Sequence, residues 1–519
     1  MSQTSAADPK VSPTADHRDY QALRKRSHEC HLLASSASIL SWDREVMMPE
    51  GGIELRSDQI SLLARLYHER MTSPEIGDLI AACEADESLS ADPLSPEAVN
   101  LREWRRQYDR QVRLPSSLIE EEAALASRGQ HAWAEARKND DFNHFKPFLE
   151  KGLDLLKRKA ECYGWDDSGE PWDALAEDYE PGCTAAQVAE VFTPLRTDLK
   201  SLLDELMGSS TQPSNAFNEL KLPQEDQRKF VEFVARSIGF DFHRGRLDVS
   251  THPFCSGTHP GDVRLTTRFH DDNVNDALGS TMHEAGHGMY EQGLPAEHAG
   301  TPMGRAVSLG IHESQSRLWE NQVGRSRAFW NWLSPRLGEF FGEATSSLSQ
   351  EDVYAGANRV KPDFIRVEAD EATYNMHIMI RFELERAMMN GQLDVADLPG
   401  AWKEKYREYL GLDVPDDRRG CLQDVHWSML SMGYFPTYTL GNLYSAQLFE
   451  SALEAIPDLE SRFERGEFGA LKTWLNDNVH AHGQRYRAAE LCEHVTGKPL
   501  SAEPLLRHLR GKLKPIYGL

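Results

Sequence analysis

The chain has 519 residues, with 82 Asp and Glu against 57 Lys and Arg, for a net charge of −25. That acidity disfavours nucleic acid and anionic membranes as partners, and no run of about 18 apolar, uncharged residues is available to span a bilayer. The N-terminus lacks a basic start followed by an apolar run, and the seven cysteines are scattered without C-x-x-C pairs. Both features point to reduced thiols in a cytoplasm rather than to a secreted, disulfide-bonded chain.

Residues 1–16 are polar, carry Pro9 and Pro13, and are expected to form a disordered leader ahead of one domain over 17–519. Helical patterning runs from Asp19 to about Leu40 and is broken at Trp42-Asp43 and at Met47-Met48-Pro49. It resumes from Glu54 to His68, from Pro74 to Ala85, and from Pro96 to about Lys138 with an interruption near Leu114-Pro115. This charge-dense arm, about 54–140, reads either as a helical lid over a cleft or as the solvated face of a bundle. Further helical patterns cover Phe145 to Tyr163, Ala185 to Met207 and Gln224 to Ile238. Only Arg246 to Phe269 differs. Leu247–Ser250 and Val263–Phe269 alternate and are β-branched, which predicts a small hairpin whose edge is open to an extended peptide. From Asn273 onward the pattern is helical again, so the fold class is mainly α with one small β-sheet.

The segment after the predicted hairpin carries the chemistry. His283-Glu284-Ala285-Gly286-His287 reads H-E-x-x-H inside a helical pattern, with Leu278, Met282, Met289 and Tyr290 apolar and Asn273 or Asn275 available as a cap. Residues i and i+4 share a helix face, so two imidazoles can grip one ion, and the intervening carboxylate is placed beside it as a base. Gly286 and Gly288 cost roughly 1 kcal/mol each against Ala in a helix. They make sense where a ligand or another backbone passes close.

A zinc site needs a third protein ligand. A third His six residues after the second is ruled out, because Gly293 stands there. Glu291, His298 and His312 qualify by type. Glu313, 26 residues after His287, is preferred, since the intervening Gly293-Leu-Pro and Gly300-Thr-Pro let a second helix return beside the first. Arg366, ahead of Glu368, Asp370 and Glu371, reads as a simple ion pair with Asp370 or as a fork for a substrate carboxylate. Arg264 and Arg268 read as assistants to that fork or as partners of Asp262 and Asp272. His426, Tyr434 and Tyr438 lie in stretches rich in polar and aromatic types.

Taken together, His252-Pro253-Phe254, Asp262-Val-Arg264-Leu-Thr266-Thr267-Arg268, the H-E-x-x-H pentad and His312-Glu313-Ser314-Gln315 resemble the carboxypeptidase Taq family of zinc metallocarboxypeptidases. The likeness continues through Ile365-Arg366-x-x-Ala369-Asp370, Gly420-x-x-Gln423-Asp424-x-His426-Trp427 and Gly433-Tyr434-Phe435-Pro436-Thr437-Tyr438. Ser41-Trp42-Asp43 with Met48-Pro49, Tyr179-Glu-Pro-Gly182 and Asn478-Val-His480-x-His482-Gly483 extend it from about residue 20 to the end. The resemblance implies a single large helical fold with a deep groove, similar to neurolysin and angiotensin-converting enzyme. It implies a homodimer that removes C-terminal residues from peptides, with one zinc per chain or cobalt in its place. It makes Glu313 the third ligand beside His283 and His287, and gives Arg366 the free C-terminus of the substrate. On this reading Glu284 is the base for a metal-activated water, His252 lines the groove, and Tyr434, Tyr438 or His426 stabilises the oxyanion. An oligopeptidase or endopeptidase on the same scaffold is the alternative.

Overall fold

The computed structural model describes residues 17–519, so the leader read at 1–16 lies outside the described residues. Helices carry most of the chain, with one three-stranded sheet. Among the described residues no helix is long and apolar enough to cross a membrane, and all seven cysteines are free.

The first helix, Arg18–Val46, runs without interruption, which corrects the expected break at Trp42-Asp43. Trp42 stays helical because its buried indole lies against two guanidinium groups. Arg246 and Arg264 stand 4.9 and 4.5 Å from its ring. The break falls at Met47–Pro49, where the proline disfavours helix in the residue before it. With Pro74–Glu84 and Pro96–Arg113 this helix builds a small core of Tyr20, Leu23, Ile76, Ile80, Leu101 and Trp104, separate from the main one. Polar ties join the two bodies. Ser27 Oγ, which accepts from Trp104 Nε1 within the small body at 3.0 Å, donates across to Gly300 O at 2.6 Å, and Met303 N donates to Asn100 Oδ1 at 2.9 Å. The arm read over 54–140 divides between them, since Ser116–Asn139 buries Leu118, Leu125 and Ala136 in the main core.

The sheet has the order β1-β3-β2, with β1 Gly245–Val249, β2 Cys255–His259 and β3 Asp262–Thr267. β1 and β3 run parallel, pairing Leu247 with Leu265. They are therefore not the two arms of a hairpin, as the alternation suggested. The hairpin is β2–β3, antiparallel and irregular between Gly257 and His259. Cys255-Ser-Gly-Thr-His has no β-branched alternation to mark it, and it forms because Pro260-Gly261 turns the chain back onto the buried Val263 and Leu265.

β3 seats the helix Val274–Gly293, with Thr267 Oγ1 and Ser280 Oγ 2.8 Å apart. Asn273 caps this helix by accepting from Asp276 N, and Leu278, Met282, Ala285, Met289 and Tyr290 face the core. Across it lies Leu309–Arg317, capped by Ser308 and by Glu180, whose Oε2 accepts from Gly310 N at 2.8 Å. Leu318–Val323 continues it as a π-helical segment. Close packing on two sides explains the two helical glycines, Gly286 at this crossing and Gly288 against the sheet side. A Cβ on Gly286 would stand 2.5 Å from Gln315 O and 2.6 Å from Ser316 Cα, and one on Gly288 would meet Phe240 and Leu265 at 2.7 and 2.8 Å.

Because the atoms facing Gly286 are backbone, they have no rotamer into which to retreat. Gly286→Ala is expected to lower the unfolding free energy by about 1–3 kcal/mol through overpacking, read from urea unfolding of the metal-free protein. An unchanged midpoint would mean that the two helices have slack at their crossing.

Candidate metal centre

His283 and His287 lie one turn apart on Val274–Gly293, with ring centres 4.9 Å apart. Glu313 projects toward them from Leu309–Arg317, and one ligand atom from each of the three lies within 4.8 Å of the others. His283 Nε2 and His287 Nε2 are 3.5 and 3.3 Å from Glu313 Oε2. A tetrahedral ion with bonds of about 2.0–2.1 Å sets its ligand atoms about 3.3–3.4 Å apart. The donor set therefore fits a small divalent ion in both chemistry and spacing.

Each of the three is held from behind. His283 Nδ1 meets Glu320 Oε2 at 2.8 Å. His287 Nδ1 meets His312 Nδ1 at 2.5 Å, and His312 Nε2 meets Glu291 Oε1 at 2.8 Å. Arg317 Nε donates to Glu313 Oε1 at 2.7 Å and its Nη1 to Glu320 Oε2 at 3.3 Å, while Ser316 Oγ donates to Glu313 Oε2 at 3.0 Å. Glu291 and His312, eligible as ligands by type, thus stand behind His287. His298 sits apart, in the turn Ala296–His298. Sequence pattern assigns no role to Glu320 or Arg317, because Glu320 lies in the π-helical segment, where α-helical spacing no longer marks a shared face.

The electrostatics follow from burial and these partners. Burial presses the His283 imidazole toward neutrality, but Glu313 and Glu320 outweigh it and hold it up at about 8. Burial dominates at His287, which falls to about 3. Burial would raise Glu313, yet Arg317 and His283 keep its carboxyl well below the usual range. Glu320 is held down at about 2, against its burial, by Arg317 and His283. Glu284 is buried, and burial lifts it to about 7 against the charge of the neighbouring His283, with Glu313 adding to the rise.

A second cluster adjoins the first through Arg317, whose guanidinium lies 4.2 Å over the Tyr374 ring. Tyr374 Oη accepts from Arg366 Nη1 at 2.9 Å. Arg366 is buried, and its Nε donates to Asp424 Oδ1 at 2.9 Å, while Asp424 Oδ2 accepts from Arg381 Nε at 2.7 Å. The pairing with Asp370 is overturned. Asp370 instead accepts from Thr373 Oγ1 at 2.7 Å and from the backbone N–H groups of Lys361, Ala372 and Thr373.

Tyr438 packs 5.1 Å from Arg366, and its hydroxyl lies 3.3 Å from His426 Nε2. Tyr434 stacks at an angle on both Tyr438 and His426. Burial and then Arg366 lower His426 to about 4, and burial followed by Glu313 raises the Tyr434 hydroxyl. Arg264 pairs with Asp262, and Arg268 with Asp276 rather than Asp272. His252 is exposed on the loop between β1 and β2, where only its carbonyl is gripped, by Ser250 Oγ at 2.7 Å. Its imidazole is therefore not part of the core.

Known proteins are similar to this chain over nearly all of its length. Residues 22–513 match the carboxypeptidase Taq (M32) metallopeptidase family. Thermostable carboxypeptidase 1 of Thermus thermophilus is 46% identical over 96% of this chain and 99% of its own length. Carboxypeptidase 1 of Bacillus subtilis is 35% identical over 98% and 99%. The crystal structure of an M32 carboxypeptidase from Deinococcus radiodurans superposes with a TM-score of 0.92 at 41% identity, covering 97% of this chain and all of that one. A chain matched end to end in this way, with a metal-fitting trio at its centre, belongs to the carboxypeptidase Taq (M32) family and is a metallocarboxypeptidase, a hydrolase of peptides.

Proposed function

We propose that this enzyme removes single C-terminal residues from peptides of broad sequence, with zinc held by His283, His287 and Glu313 and with Glu284 as the general base. The observation that carries the reading is the gathering of the three donors within 4.8 Å, with both imidazole–carboxylate separations close to the edge of a tetrahedron around one small ion. Cobalt fits the same nitrogen and oxygen donors.

Zinc, when bound, acidifies a water and polarises the scissile carbonyl. Glu284 takes a proton from the attacking water and delivers it to the departing amine, and its shift to about 7 suits both halves of that task. Tyr434, a neutral phenol raised by burial and by the charge of Glu313, is assigned the hydrogen bond to the oxyanion. Tyr438 and His426 hold it in place through their ring contacts.

Arg366 receives the terminal carboxylate. Asp424 and Tyr374 fix its Nε and Nη1, so the fork is oriented before substrate arrives. His252, exposed beside the sheet, is assigned to the groove wall. The small-core body up to Arg113, rather than the whole of 54–140, is assigned the lid. The homodimer implied by the resemblance and the cytoplasmic location read from the scattered cysteines complete the proposal. The oligopeptidase alternative has less support, because a buried, pre-oriented arginine beside the metal trio is a device for a chain end.

Glu284→Gln keeps the shape of the site and removes the base. It is expected to bind zinc normally and to lose about 10²–10⁴ in kcat, measured on an unblocked peptide alongside metal content. Residual activity near the parent level would take the base role from Glu284. Arg366→Ala is expected to raise KM steeply for free-acid peptides and hardly at all for their C-terminal amides; equal changes for both would leave it a structural cation.

The pH dependence of metal binding follows from the imidazoles. A ligating imidazole must be neutral. His287 is neutral above about pH 3, whereas His283 is protonated below about pH 8. Each ion therefore displaces one proton below that pH. Zinc affinity of the stripped protein should rise about tenfold per pH unit from 6 toward 8 and then level off, followed by competition with a chelating dye. A flat profile would show that His283 is already neutral.

A further inference from the structure

His426 and Tyr434 bracket one short segment of chain, and both ends of that segment are tied to a single buried carboxylate that plays no part in the chemistry above. Glu385, on the helix Tyr374–Met389, is fully buried. Its Oε1 accepts from Trp427 Nε1 at 2.9 Å, one residue after His426. Its Oε2 accepts from Gly433 N at 3.1 Å, one residue before Tyr434. Trp172 Nε1, from the short helix Pro171–Ala176, donates to the same Oε2 at 3.1 Å.

Between these ties the chain has little freedom. It turns through His426–Met429, where Ser431 N donates back to His426 O at 3.0 Å. Leu430 and Gly433 are left-handed, with φ of 60° and 94°. Gly433 lies so close to the end of Pro171–Ala176 that a Cβ would stand 2.9 Å from Ala176 N. Tyr434 follows directly, edge-on to Tyr179 with ring centres 5.2 Å apart.

A charge at the hub of this segment needs a reason. Arg381, one turn earlier on the same helix, is taken up by Asp424. Burial lifts the Glu385 carboxyl to about 7, against the pull of its three N–H donors. A buried charge compensated in this way is costly. What it supplies, and a neutral side chain of its size does not, is two oxygens that accept at once.

We propose that Glu385 is a positioning residue that sets the place of the Tyr434 hydroxyl beside the metal centre by clamping both ends of the segment from Trp427 to Gly433. The proposal rests on the assignment of Tyr434 as the oxyanion donor, which Tyr434→Phe tests by itself.

The experiment uses the zinc-loaded full chain on an unblocked peptide at about pH 8.5, where Glu385 is ionised. Glu385→Gln accepts at one oxygen only, so its amide faces an N–H donor and one end of the segment comes loose. It is expected to lower kcat about 10- to 100-fold and to leave KM and zinc content within about twofold of the parent. Trp427→Phe leaves Glu385 in place and removes one of its three donors, and it should lower kcat in the same manner by a smaller factor. Should Glu385→Gln not fold, Trp427→Phe carries the test. A residue needed only for general packing would multiply its loss onto that of Tyr434→Phe. A clamp acting through Tyr434 does not, so either variant added to Tyr434→Phe should cost less than about twofold more. The proposal is overturned if the losses multiply, if they fall on KM or zinc content instead of kcat, or if the clamp variants keep the parental kcat. If Tyr434→Phe alone keeps the parental kcat, the oxyanion assignment has failed and the clamp with it. If Tyr434→Phe loses kcat and the clamp variants do not, only the clamp has failed.

Discussion

Charge balance around Arg317 is the constraint on which the centre depends. Glu313 is buried, Glu320 half-buried, and both are ionised; Arg317 serves both, and Arg325 Nη2 adds a second guanidinium 3.5 Å from Glu320 Oε1. His283 stands against the same two carboxylates, which hold its imidazole up at about 8 despite its burial. A divalent cation that displaces its proton meets carboxylates that are already ionised, beside a Glu284 that burial lifts to about 7 in the metal-free protein.

The same Arg317 ties the metal-fitting trio to Arg366, the residue proposed to grip the substrate carboxylate. From Glu313 the contacts run through Arg317, over the Tyr374 ring, to Arg366 and on to Asp424 and Arg381. Each link is short, and most are charge-assisted, so the distance from metal to fork is held by chemistry as well as by the helices. An exopeptidase needs that distance fixed, because it decides which peptide bond lies at the metal.

How much of this could be read from the sequence follows from the range over which each contact acts. The pentad was legible because its geometry is local to one helix turn, and its glycines announced a close neighbour that the structure identifies as the backbone at Gln315 and Ser316. Glu313 was within reach, since one short return loop separates the two helices. Arg366 with Asp424, 58 residues apart, was beyond any local pattern, and the nearer Asp370 misled. Glu320 escaped notice because a π-helical segment carries it and no residue preference marks that geometry. The strands were found by alternation, but their parallel pairing depends on β2, whose sequence looks like a loop.

The division of the apolar interior into a large core and a small N-terminal one carries a thermodynamic consequence. The helices up to Arg113 are fastened to the rest by side-chain hydrogen bonds, by an indole wedged against arginines, and by the buried Glu103, which pairs with Arg487 at 2.9 Å. Hydrogen bonds exchange for water at small net free energy, whereas a buried ion pair resists separation. If this body serves as the proposed lid, its opening is set by those polar and ionic ties, apart from the apolar core that holds the metal-fitting trio.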